Sequence, residues 1–292
     1  MDTKNLILAI ALSLAILLGW QTFVEQPQQA EKQAELERQE QAVGRAPNTI
    51  GVPSLPSPDG NQAAGAAEPR GRDEVIADTP RITINTPALS GTINLVGGRF
   101  DDLTLRDYRD TIEPGSKLIK LLSPRGSEDP YFAEFGWLTG NGTVSGGGQT
   151  RWTANQGELT PDSPVVLTTR TDDGLVLTRT VAVDDHFMFT VTDRIQNAGT
   201  TPINVSQFGR ITRVNEPDTL GFFILHEGPI GILGDTLHEI DYDDLEDEPE
   251  APQTFESEGG WLGFTDIYWL TALIPDQDTQ GDAPFLFDTT GS

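Results

Sequence analysis

The chain has 292 residues, enough for one or two domains at about 150 residues each. Its 45 acidic residues outweigh 19 basic ones for a net charge of −26, which excludes nucleic acid as a partner, because phosphate binding needs a basic patch. There is no cysteine, which removes disulfides and thiolate chemistry from consideration.

The first predicted element is MDTKNLILAIALSLAILLGWQTFVEQ. From Leu6 to Val24 it runs 19 residues without a charge. A helix of that length, at about 1.5 Å per residue, just spans a hydrocarbon core of about 30 Å. Bulky Trp20 and Phe23 occupy the positions where a signal peptidase requires small residues, and they suit aromatic anchors at the membrane interface. Lys4 precedes the span and Glu25, Glu31 and Glu35 follow it, so the charge bias puts the N-terminus inside and exports the rest. The expectation is a retained transmembrane anchor over 1–24, marked by Leu6, Trp20 and Val24; a cleaved signal peptide is the other reading.

Residues 25–74 contain no aromatic residue and are rich in Gln, Ala, Pro, Gly and charge. Such a stretch buries too little apolar surface to offset its ordering entropy, and is expected to be a linker. From residue 75 to 292 the texture changes to short runs of Thr, Val, Ile and Phe punctuated by Gly, Pro, Asn and Asp, the pattern of an all-β sandwich of antiparallel sheets. RITINT alternates Ile82 and Ile84 with polar residues, and GTINLVGG repeats the pattern with Ile93 and Leu95. GLVLTRTVAVDD puts Leu175, Leu177, Val181 and Val183 on one face, interrupted by Arg179. HFMFTVTDRIQN does the same with Phe187, Phe189 and Val191, and Asp184-Asp185 marks a hairpin between the two runs. NAGTTP predicts a turn before INVSQFG.

Candidate chemistry along the chain is sparse. His226-Glu227 and His238-Glu239 are the best acid/base candidates, yet neighbours on a strand point to opposite faces. The acidic run HEIDYDDLEDEPE could offer oxygen ligands to calcium, but Glu246 stands where an EF-hand starting at Asp241 needs glycine, and a solvated acidic loop is expected. Gly146-Gly147-Gly148 lacks the strand-to-helix context of a phosphate loop and reads as a turn. The aromatic stretches Tyr131–Trp137 and Trp261–Trp269 could line an exposed groove; core packing is the preferred reading. No cofactor, metal or catalytic residue is expected.

Four stretches resemble, in order, the YidC family of membrane protein insertases of Gram-negative bacteria: MDTKNLILAIALSLAILLGWQ; RITINTPALSGTINLVGGRFDDLTLRDYRDT with LIKLLSP and YFAEFGW; NAGTTPINVSQFGRI; and GGWLGFTDIYWLTALIPDQ. Ile267 departs from the charged residue expected within the fourth. The resemblance implies a first transmembrane helix and a periplasmic domain of β-super-sandwich fold, with five further membrane helices that carry insertase activity and lie beyond this chain. The run ending at Ser292 is accordingly expected to be a truncation within the domain. By the same resemblance the chain sits in the bacterial inner membrane with residues 25–292 in the periplasm. Its implied partners are nascent integral membrane proteins, Sec translocon components and, through the first helix, the lipid bilayer. Its role is that of a non-enzymatic insertase or chaperone module. The alternative is a membrane-anchored, carbohydrate-binding or mutarotase-like envelope protein, since super-sandwich domains also occur there.

Overall fold

A computed structural model of the chain describes residues 68–140, 142–172, 174–217, 225–247, 253–257, 259–266, 268–277 and 283–287. The expected anchor with Leu6, Trp20 and Val24, and the linker up to residue 67, lie outside the described residues. Among those described, no helix is long and apolar enough to cross a membrane.

The domain is built from strands. A short helix α1 (Arg72–Ala77) opens it, with Asp73 and Glu74 in the first turn where the helix dipole favours negative charge. It is pinned by Arg72, whose guanidinium pairs with Asp102 and donates to the Leu122 carbonyl at 3.1 Å. Then come β1 (Arg81–Asn85), β2 (Leu89–Asn94), β3 (Arg99–Arg109), β4 (Leu118–Leu122), β5 (Tyr131–Thr139), β6 (Val144–Ser145), β7 (Thr153–Ala154), β8 (Glu158–Leu159), β9 (Val165–Arg170), β10 (Leu175–Val183), β11 (Phe189–Asn197) and β12 (Val205–Arg213). The last third adds β13 (Gly228–Leu233), β14 (Thr236–Glu239), a helix α2 (Tyr242–Asp247), β15 (Gln253–Ser257), β16 (Trp261–Thr265), β17 (Leu270–Leu273) and β18 (Ala283–Phe287).

The large sheet runs β12-β5-β3-β2-β1-β8, with β4 on β3 and β6 on β5; a second sheet runs β11-β10-β9-β7. All their pairings are antiparallel except the two-residue contact of β1 with β8. One hydrophobic core lies between the two sheets. The large sheet contributes Ile82, Ile84, Leu89, Ile93, Phe100, Leu103 and Ala133, and the second contributes Val165, Leu167, Leu175, Leu177, Val181 and Val183. This is the expected sandwich. The burial of β10 alternates at every position, as one face on the core requires. A third sheet, β14-β13-β16-β17, closes a smaller core around Leu233 and Ile240, and β15 pairs with β18.

Two features differ from the expected pattern. Phe187 stands before β11 instead of within it: the Asp184 carboxylate accepts the N–H groups of His186 and Met188 and folds residues 184–188 into a loop. The acidic run 238–250 is not wholly a loop. It ends β14 and supplies α2, because Tyr242 and Leu245 give it enough apolar side to lie down, Leu245 against the smaller core.

Candidate apolar cleft

Buried ion pairs brace the strands that carry the site. Arg179, opposite Asp193 in the β10–β11 register, is fully buried and donates through Nε and Nη2 to the two Asp193 oxygens, each at 2.7 Å. Its guanidinium lies 4.9 Å from the Trp152 ring centroid and 5.4 Å from that of Phe135. Within the large sheet, Glu134 on β5 accepts from Arg99 on β3 at 2.8 Å and from Arg210 on β12. Burial opposes ionisation of Glu134, but the charges of Arg210 and Arg99 outweigh it and hold the carboxyl below its usual range. Arg81 pairs with Asp101 at 2.6 Å, and Asn94 donates to the same carboxylate.

The sandwich opens into a cleft of about 490 Å³. Phe100, Leu103, Leu105 and Phe135 of the large sheet form its base; Phe189 and Val191 of β11 and Leu270 to Ile274 in and after β17 form its sides. Its polar side chains are Asp102, Thr271 and the two tyrosines Tyr108 and Tyr268, and Asp102 is occupied by Arg72 and by the Thr92 hydroxyl at 2.7 Å. Phe100 meets Phe135 and Phe189 edge-on, with centroids 5.9 and 5.3 Å apart. Tyr108, at the end of β3, closes one end by touching Trp269 at 4.9 Å and Phe187 at 6.5 Å. Arg213 of β12 holds the β17 side in place: it stacks on Tyr131 at 4.7 Å and bonds Asp266 at 2.6 Å, and the Asp266 N–H donates to the Trp269 carbonyl to close the turn.

The rim is apolar and open to solvent. Phe187, Met188, Leu270 and Ile274 are each about half exposed, and Tyr268 is 79% exposed. Of the two aromatic stretches, Tyr131–Trp137 is the core strand β5, as preferred from sequence. Trp261–Trp269 divides: Phe264 and Trp269 pack on the core, while Tyr268 points outward. Met188, Leu270 and Ile274 had no distinguishing signal in the sequence. Arg179–Asp193 did leave one, because Asp193 interrupts Phe189-Val191-Ile195 at the register position facing Arg179.

The two histidine candidates stand in different surroundings. His226 bonds the Pro229 carbonyl at 2.9 Å and approaches Asp241 at 3.3 Å, whereas His238 stacks on Phe255 at 4.3 Å and pairs backbone-to-backbone with Gly231 in the β13–β14 ladder. Among the described residues no cluster of three or more His, Asp or Glu could hold a metal.

The described residues thus define an all-β sandwich of antiparallel sheets with an apolar cleft that opens to solvent at its rim. Residues 81–289 match the family model of the YidC periplasmic domain. The chain is 41% identical over 290 residues to the membrane protein insertase YidC of Rhizobium meliloti (strain 1021), covering 97% of this chain and 48% of that protein. It is 40% identical to the protein of that name from Methylobacterium radiotolerans, with coverage of 100% and 50%, and 41% identical to that of Sinorhizobium fredii, with coverage of 99% and 49%. The chain belongs to the YidC family, and it spans about half the length of the curated relatives it matches.

Proposed function

We propose that this chain is the anchor and periplasmic domain of an inner-membrane protein insertase and chaperone, one that helps integral membrane proteins to insert and fold, alone or with the Sec translocon. The observation that carries the reading is identity of about 40% along nearly the whole chain with proteins named membrane protein insertase YidC. In this reading Leu6 to Val24 cross the bilayer with Trp20 near the interface, residues 25–74 tether, and residues 75–292 stand in the periplasm. The partners are nascent integral membrane proteins, components of the Sec translocon and the surrounding bilayer. The domain acts by holding and positioning rather than by catalysis, and needs no cofactor. The carbohydrate-binding alternative gains no support from the apolar lining of the cleft.

The test is a chimera in which this chain replaces the matching half of the Rhizobium meliloti relative in cells depleted of their own insertase. Restored growth and membrane-protein insertion are expected. A stably expressed chimera that restores neither would overturn the reading.

A further inference from the structure

We propose that the buried hydroxyls of Tyr131, Tyr242 and Thr271, gathered around the Arg213–Asp266 pair where the third sheet meets the sandwich, form a binding site for one or two internal water molecules.

Separate parts of the chain meet at this joint. Tyr131 opens β5, and Arg213 ends β12 directly opposite it in the ladder. Tyr242 opens α2, Asp266 stands in the turn between β16 and β17, and Thr271 lies in β17. Apolar contact sets the frame, since the Tyr131 ring meets Phe264 of β16 edge-on with centroids 6.0 Å apart. Tyr131 is only 6% exposed, and the hydroxyl oxygens of Tyr131, Tyr242 and Thr271 are all enclosed. Tyr131 faces Thr271 and Tyr242, and both tyrosines stand in the field of Arg213 and Asp266. Tyr131 and Thr271 approach each other, as do Tyr242 and Arg213, without reaching hydrogen-bonding geometry, so none of the three hydroxyls completes a bond to another protein group.

A buried hydroxyl without a partner forfeits the hydrogen bonds it made to solvent in the unfolded chain. Three in one place call for a shared partner. The chemistry of the site selects it. Arg213 and Asp266 neutralise each other at 2.6 Å, which leaves no net charge on the pair to hold an ion. Hydroxyls both donate and accept, and a partner common to three of them must do the same. Enclosure of the oxygens admits only the smallest molecule of that kind. Water meets each condition, and a buried water makes about three hydrogen bonds. Such water bonds β5 to β17 and α2, so the third sheet is seated on the sandwich partly through solvent.

The test uses the full chain in phosphatidylcholine nanodiscs. Tyr131→Phe, Tyr242→Phe and Thr271→Val each remove one hydroxyl and nearly keep the shape of the side chain. A hydroxyl bonded to water contributes a net hydrogen bond, so each loss is expected to raise the unfolding constant in urea about fivefold, followed by tryptophan fluorescence. For a hydroxyl with no partner the sign reverses, because its removal takes a buried polar group out of the fold and lowers that constant. Tyr268→Phe, in a side chain 79% exposed, is the control and is expected to leave the constant unchanged. Infrared difference spectra, parent minus Tyr131→Phe, are recorded in ordinary and in heavy-oxygen water. An O–H stretching band that shifts with the oxygen isotope is expected, since a direct contact between two protein hydroxyls carries no exchangeable oxygen. An unchanged or lowered unfolding constant for Tyr131→Phe, or a difference spectrum without an isotope-sensitive band, would overturn the proposal. Thr271→Val, read in the same two ways, decides the matter if Tyr131→Phe does not fold.

Discussion

Arg179 and Asp193 face each other across β10 and β11 in a two-pronged ion pair with both side chains excluded from water. The pair sits where each strand's alternation calls for an apolar residue. Replacing one member leaves the other charged, buried and without its counter-ion, at a cost of about 3–5 kcal/mol.

Arg179→Met or Asp193→Leu alone should therefore lower unfolding stability by that order. The double replacement should be less damaging than the two single losses combined, because no buried charge remains. Urea unfolding of the three variants, followed by tryptophan fluorescence, provides the cycle. Additive losses would mean that the two side chains act independently.

Gly98 is under tighter constraint than its turn position suggests. Its φ is +61°, and a Cβ there would stand 2.8 Å from Arg179 Nη1 and 3.1 Å from the Trp152 indole nitrogen. Gly98→Ala should destabilise by about 1–3 kcal/mol through backbone strain, and the displaced guanidinium should also disturb Trp152. A melting temperature equal to the parent's, with an unchanged Trp emission, would show that the loop can yield.

The cleft predicts a contrast between its base and its rim. Phe100 is 6% exposed and packed between two rings, so Phe100→Ala should cost about 3–5 kcal/mol. Tyr268→Ala, at the solvent-facing rim, should change stability by no more than about 0.5 kcal/mol. Chemical denaturation of both variants decides it; similar losses would mean that Tyr268 is covered in solution.

Acid should weaken the fold through Glu134. Its folded pKa lies below the ordinary value of 4.5, so the folded state binds fewer protons than the unfolded chain in that range. The stability it contributes is present above about pH 4.5 and is lost as pH falls through the lower native value. Glu134→Gln should be less stable at pH 7, with Arg99 and Arg210 left without their anion, and should show a flatter decline on acidification. An acid limb as steep as the parent's would assign the effect to other carboxylates.

The sandwich was legible because period-two alternation is local: Ile82, Ile84, Ile93 and the apolar positions of β10 declare their face by their own neighbours. Arg179 looked like a break in that face, and only its match with Asp193 one strand away turns the two breaks into a single pair. Phe187 was misplaced by the same local rule, since an aromatic at the right spacing does not reveal that Asp184 has already folded the chain into a loop. The cleft was out of reach for a different reason. Leu270 and Ile274 resemble ordinary strand residues, and the cleft they line with Phe189 and Val191 is brought together only by the tertiary fold.

The pairing of β5 with β12 also sets a clock. Tyr131 is matched with Arg213 and Thr139 with Val205, and Glu134 waits for Arg210 across the same ladder. A ribosome adding about 5–20 residues per second needs on the order of 4–16 s to pass from the start of β5 to the end of β12. During that interval the emerging chain carries an unfinished sheet with a buried-type carboxylate short of one of its two cations. Premature release of nascent chains between residues 139 and 205 should thus yield species prone to associate edge to edge, whereas chains that have passed Arg213 can complete the sheet.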